Sequence, residues 1–254
     1  MRKSLLYNPL HIVERLAVAS RRWRRHHRLQ HTPAAHLKEG HIGSLELLEL
    51  LKDEPPKVIY DIGANRGTWT CLAKAIFPAA QVEAFEPLAM HFEEFQTRTQ
   101  AVAGVRLHRV ALGAAAAKLE MDVMDFSDAS SFLPATAATR AEFDLHSIRH
   151  ENLVVFPLDP FRAQHQLPAP DLVKLDVQGY ELEVLRGAEE TLRTTRAVLT
   201  EVSFREYYRG QPLFHDVVAF LATRGFLLQA LGESTPLGAP LGQTDALFLK
   251  QPTV

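Results

Sequence analysis

From Lys57 onward, apolar segments of strand length alternate with segments patterned at helical spacing, which limits the chain to folds built on a parallel sheet with right-handed crossovers. "KVIYDIG" (57–63) reads as a buried strand and "GTWTCLAKAIFP" as a helix stopped by Pro78. "QVEAFEP" follows as a second strand, "LAMHFEEFQTRTQAVA" as a helix, and "VRLHRVALG" as a third strand. The middle, 113–160, is less regular, with "AKLEMDVMDFSDASSFLP" and "IRHENLVVFPLD" expected to add strands around a loop. Order returns with strand "DLVKLDV", helix "YELEVLRGAEETLRTT", strand "AVLTEVSF", helix "FHDVVAFLATRG" and strands "FLLQAL" and "TDALFLK".

The first strand ends in Asp61-x-Gly63-x-x-x-Gly67, a strand–loop–helix junction of the kind that cradles a small ligand. A dinucleotide fingerprint needs a glycine where Asn65 stands, because the backbone must approach a pyrophosphate there. A P-loop needs Gly-Lys-Ser/Thr, which "RGTWT" lacks. S-adenosylmethionine carries no phosphate, and its polar ends match two acids of this chain. Asp61 can attract the ammonium, while the amides of Gly63, Ala64, Asn65 and Gly67 receive the carboxylate. Glu86 ends the next strand, 25 residues after Asp61, where it can accept hydrogen bonds from both ribose hydroxyls. Val110 and Ala111, in "VALG", are expected to sandwich the adenine.

Asp176 and Glu201 end the fourth and fifth strands, and ligands in open α/β sheets sit outside those ends. Both acids therefore converge on one crevice as candidate bases for activating an acceptor hydroxyl, with Asp176 the first choice. Glu201 could equally form a structural ion pair with Arg205. Ser130 and Ser131 read either as an active-site loop or as a polar turn, and Tyr207 and Tyr208 either as sugar-stacking rings or as surface tyrosines. His146 and His150 have metal-ligand spacing only on a helix; here the segment runs into a strand with no confirming acid, so no metal site is expected.

The motifs "DIGANRG", "AFEP", "VALG", "KLDVQGYELEVLRGA", "EVSF" and "DALF" together resemble the FkbM family of S-adenosylmethionine-dependent methyltransferases over Val58 to Leu249. The resemblance implies a Rossmann-like, seven-stranded class I methyltransferase sheet of order 3-2-1-4-5-7-6, with strand 7 antiparallel. It also implies O-methylation of a hydroxyl on a saccharide or natural product. Residue by residue it supports Asp61, Gly63, Asn65 and Gly67 at the methionine end, Glu86 at the ribose and Asp176 at the reaction centre. Gln178 departs from a glutamate frequent in the family, which argues against a metal held there. Rival readings are an NAD-dependent oxidoreductase, disfavoured by Asn65, and a catalytically silent cofactor-fold interaction protein, disfavoured by the intact acids.

Charge marks a boundary before this domain. Residues 1–42 hold nine Lys/Arg against two Glu, so the net −2 of the chain leaves −9 for the remainder. Apolar Leu10, Val13, Leu16 and Ala17 precede "RRWRRHHR" at helical spacing. Residues 1–45 are expected to form a basic helical extension packed on a domain at 46–254, its arginines solvated. The alternative is weak contact with a membrane surface or polyanion. Nucleic acid is disfavoured, since phosphate binding needs a broad basic surface. Cys71 is the only cysteine, so an intramolecular disulfide is excluded; it is expected to pack in the helix after the glycine loop. Asn8, Pro9, His11, Glu14 and Arg15 interrupt the opening apolar run, so neither a signal-peptide core nor a membrane span is expected and a cytoplasmic location fits.

Overall fold

The computed structural model describes residues 20, 23–37, 43–232 and 241–251. Seven strands form one sheet in the order β3-β2-β1-β7-β8-β10-β9. These are β1 (Val58–Ile62), β2 (Gln81–Phe85), β3 (Val105–His108), β7 (Leu172–Leu175), β8 (Ala197–Ser203), β9 (Phe226–Leu231) and β10 (Gln243–Lys250). All neighbours are parallel except β10, which runs antiparallel to β8 and β9. Counted within this sheet the order is 3-2-1-4-5-7-6, as expected.

Because side chains alternate across a strand, each central strand feeds both faces. Tyr60, Leu175, Val198 and Phe248 pack on one face with α5 (Leu158–Gln164), α6 (Glu181–Arg186) and α8 (Phe214–Ala222). Ile59, Leu172, Leu199 and Leu247 pack on the other with α1 (Ser44–Glu49) and α2 (Thr68–Ile76). Leu29, Ala34 and Leu37 are buried in this second layer. The N-terminal extension, as far as it is described, is thus continuous with the core, and α1 crosses the boundary expected at residue 45. Arg25 is buried, its guanidinium donating to both carboxylate oxygens of Glu46 at 2.6 and 2.8 Å, and Arg28 pairs with Glu49. Two arginines of the basic run are therefore engaged by acids. Leu10, Val13, Leu16, Ala17, Arg21 and Arg22 lie outside the described residues. Among the described residues, no helix is long and apolar enough to cross a membrane.

Two segments depart from the pattern reading. "VRLHRVALG" is two strands: His108, stacked on Phe85 and 2.5 Å from the buried Glu83, ends β3. Three residues on, β4 (Ala111–Leu112) joins a separate three-stranded sheet with β5 (Ala117–Met124) and β6 (Ser147–Phe156). The expected helix 180–195 is broken at Gly187, where a Cβ would stand 2.1 Å from the carbonyl of Gly113. A new helix, α7 (Glu189–Thr194), starts there, its Glu190 and Thr191 amides donating to Asp159. Two further helices are α3 (Phe92–Thr99) and α4 (Ala137–Phe143).

Candidate active site

Sheet register brings the acids together. Asp61 on β1 is paired with Lys174 on β7, and Glu201 on β8 with Asp245 on β10. Asp176 follows β7, one step beyond the pairing of Leu175 with Thr200, and so comes beside Glu201. At the carboxyl ends of β1, β7 and β8 and the amino end of the antiparallel β10 lies a cleft in two halves that share Gly63, Asn65, Asp128, Asp176 and Gln178.

The first half is floored by Phe85, Val110, Ala111, Leu112 and Met121, with Glu86 and His91 at its polar end. Val110 and Ala111 do reach the cleft, though from β4 and its approach rather than from the third strand of the main sheet. Glu86 is buried, accepting from the Asn65 amide at 2.9 Å and the Leu88 amide at 2.8 Å. The His91 imidazole stands 3.2 Å from Glu86, and its buried Nε2 has no hydrogen-bond partner among the described residues. An apolar slot ending in a carboxylate and an unpaired imidazole nitrogen suits a group with a flat base and a diol.

The glycine loop is arranged differently from the expectation. Gly63 and Ala64 both donate to the Phe85 carbonyl at 3.0 Å, Arg66 to the Asn65 side chain at 2.7 Å and Gly67 to the Ala64 carbonyl at 2.8 Å. With the Asn65 amide on Glu86, every amide of the loop already has an acceptor, so none is free to receive a carboxylate in this conformation. Asp61 is also not on the cleft wall. Its buried carboxylate accepts from Thr70 Oγ1 at 2.6 Å and pairs with Lys174 at 3.0 Å, beneath the loop rather than within it. Gly63 and Asn65 both adopt positive φ, 77° and 48°. Asparagine tolerates that conformation better than most residues, a backbone reason for Asn65 beyond its side chain.

Lys174 is the member of this site that pattern reading passes over, although "DLVKLDV" shows a charge in an otherwise buried strand. Its ammonium donates to the Gly63 carbonyl at 3.1 Å and lies 3.9 Å from Asp176. Burial alone would disfavour the charge; Asp61 and Asp176 outweigh it and hold the ammonium above the usual lysine range.

The second half is lined by Asp176, Gln178, Glu201, Gln243 and Asp245, with Phe143, Tyr207 and Tyr208 opposite. Burial, reinforced by Asp176, Glu181 and Asp245, raises the Glu201 carboxyl well above the carboxylate range. Gln243 donates to it at 3.0 Å. Arg205 does not pair with Glu201: it bonds Glu142 at 2.7 Å and lies over the Tyr207 ring. Tyr207 and Tyr208 are buried rather than surface residues, and Ser131 fixes the 127–132 segment by donating to the Gln178 carbonyl at 2.7 Å. His146 and His150 are exposed and face Asp125 and Glu120; among the described residues, no group of three His, Cys, Asp or Glu could hold a metal. Cys71 is buried in α2, which pushes its thiol up to about 11.

A seven-stranded sheet of this order, with a glycine loop after its first strand and an acid after its second, is the class I methyltransferase architecture. The family profile described as "Methyltransferase FkbM domain" matches residues 61–228. The chain belongs to the FkbM methyltransferase family. It is 26% identical over 162 residues to "Hexuronic acid methyltransferase AglP" of Haloferax volcanii, a match covering 63% of this chain and 62% of that protein. It is 28% identical over 171 residues to "2-O-methyltransferase NoeI" of Sinorhizobium fredii, covering 63% and 69%. The match to the first of these relatives thus spans less than two thirds of its length. Among solved structures, precorrin-6y C5,15-methyltransferase from Geobacter metallireducens GS-15 superposes with a TM-score of 0.48 at 14% identity, covering 85% of this chain and 90% of that one.

Proposed function

We propose that this protein is an S-adenosylmethionine-dependent O-methyltransferase acting on a hydroxyl of a saccharide or natural product. The observation that carries the reading is the junction at Asp176, where a slot with nucleoside chemistry opens into a chamber lined by carboxyls, amides and tyrosines. The names of two relatives, a hexuronic acid methyltransferase and a 2-O-methyltransferase, support the same acceptor class.

In this reading Glu86 accepts hydrogen bonds from the ribose diol, and Val110 and Ala111 flank the adenine. Gly63, Ala64, Asn65 and Gly67 shape the methionine end, and Asp61 acts from below by holding Lys174 and α2 in place. The bound cofactor supplies an electrophilic methyl group on a sulfonium. Asp176, shared by both halves of the cleft, orients the acceptor hydroxyl and takes its proton. Glu201, whose carboxyl burial holds above the usual carboxylate range and so keeps protonated to higher pH, serves as a hydrogen-bond donor to the acceptor before it serves as a base. Much of the rate enhancement then comes from alignment of the acceptor oxygen.

Calorimetry with S-adenosylhomocysteine and with NAD tests the cofactor, and transfer of labelled methyl to a panel of methyl glycosides tests the acceptor. Binding of the first ligand and an O-methyl ether product are expected. Stabilisation by NAD alone would overturn the reading. Asp176→Asn is expected to slow turnover at least about 100-fold with cofactor affinity retained.

A further inference from the structure

The Gln178 side chain hydrogen-bonds both Asp176 and the tyrosine wall. Its Nε2 donates to Asp176 Oδ1 at 2.8 Å, and its Oε1 accepts from Tyr208 Oη at 2.9 Å. The same phenol lies 3.0 Å from the Ala129 carbonyl. A single hydroxyl proton therefore faces two acceptors, one fixed in the backbone and one on a rotatable amide. The Gln178 backbone cannot follow the amide. It sits at φ 54°, its carbonyl held by Ser131, and the amides on either side of it, Val177 and Gly179, both donate to the buried Glu181.

These contacts accommodate either state of Asp176. While Oδ1 is ionised, the amide must present its N–H to it. Once Oδ1 carries a proton, a half-turn of the amide presents Oε1 to that proton instead. Nε2 then donates to Tyr208 Oη, whose own proton goes wholly to the Ala129 carbonyl, and no buried polar atom loses its partner. We infer that Gln178 and Tyr208 are positioning residues that turn with the protonation of Asp176, keeping its carboxyl in one orientation before and after it accepts a proton. The inference rests on the reading of Asp176 as proton acceptor: the acceptor O–H bond breaks as the Asp176 O–H bond forms.

Among the described residues, the charged and titratable groups that interact electrostatically with Asp176 include Lys174, 3.9 Å away, Glu181 from α6, Glu201 from β8 and the Tyr208 phenol, with Asp245 on β10 acting on Glu201. Gln178→Leu and Tyr208→Phe add no charge beside these groups, so their charges form a common background for those two variants.

The test is nuclear magnetic resonance on the full chain labelled with [13C]aspartate and [15N]glutamine. Asp176 is assigned by loss of its signal in Asp176→Asn, and Gln178 by loss in Gln178→Leu. In the wild-type chain the Gln178 side-chain nitrogen should shift over the same pH interval as the Asp176 carboxyl carbon. Gln178→Leu should move that carbon's transition up by about one pH unit, the size of one lost hydrogen bond to the charged form. The isosteric Gln178→Glu should move it further, through like charge, and Tyr208→Phe should uncouple the nitrogen from the carbon. A Gln178 nitrogen blind to the Asp176 transition, or a transition unmoved in both Gln178 variants, would overturn the inference. No methyl donor or acceptor is present, so these outcomes are separate from failure of the proposed reaction, which would show as absent turnover in the wild-type chain.

Discussion

The Lys174 ammonium stands 3.0 Å from the Asp61 carboxylate on the neighbouring strand, with both side chains at 5% exposure or less. The pair lies under the glycine loop and bonds the Gly63 carbonyl, so it supports the cofactor half of the cleft from inside the sheet. Replacing Lys174 by Met leaves a buried carboxylate without its counter-charge, which costs about 3–5 kcal/mol. Urea unfolding of Lys174→Met should show that loss, and Asp61→Asn in the same chain should restore part of it. A loss below about 1 kcal/mol would mean that the pair is not a support.

Gly63 permits a close approach. At φ 77°, a Cβ there would stand 1.9 Å from the Asp176 carbonyl oxygen, so Gly63→Ala must push the loop and β7 apart. Gly210 has a similar φ of 74° but open space around its Cβ position, so Gly210→Ala isolates the backbone penalty, about 1–2 kcal/mol. Calorimetry should find S-adenosylhomocysteine binding weakened more than about tenfold in Gly63→Ala and unchanged in Gly210→Ala. Equal affinities in both would remove the steric explanation.

Glu86→Gln keeps one oxygen acceptor for the Asn65 or Leu88 amide but removes the charge. A hydrogen bond to a charged acceptor contributes about 1.5–3 kcal/mol, so affinity for S-adenosylhomocysteine should fall about 10- to 100-fold. Wild-type affinity in this variant would take Glu86 out of the cofactor site.

Burial pushes the Glu181 carboxyl from 4.5 up to about 7. Below about pH 4.5 it is protonated in the folded and unfolded chains alike, and its contribution to stability is fully present. As pH rises toward 7 the unfolded chain releases this proton first, so stability declines by about 3 kcal/mol over that interval. Glu201 is shifted in the same direction and adds to the slope. Denaturation of Glu181→Gln from pH 4.5 to 8 should show a flatter profile than the wild type, with the variant gaining most at the upper end. Parallel profiles would show that Glu181 does not supply the slope.

Strand–helix alternation was enough to place all seven main strands, the central ones because a strand buried on both faces must be apolar along its length. "VRLHRVALG" misled for the same reason: its apolar residues serve two sheets, and only the His108–Glu83 contact marks where the chain leaves the first. The helix after "QGY" misled because its break depends on the approach of Gly113, 74 residues earlier in the chain. Asp176 and Glu201 were legible from their places at strand ends. Lys174 was not, since a lysine in a strand has meaning only once the register sets Asp61 beside it.

Local order along the chain therefore determined the strands, the helices between them and the acids at the strand ends, since hydrophobic period and turn chemistry are properties of neighbouring residues, while the order of the strands came only from the resemblance of the motifs to the family. Tertiary structure alone decided what each acid does. It buried Asp61 against Lys174, gave the loop amides to Phe85 and Glu86, and set Gln178 between Asp176 and Tyr208. The charge and hydrogen bonding of a side chain depend on which distant groups share its low-dielectric surroundings, and that is settled only when the strands pair.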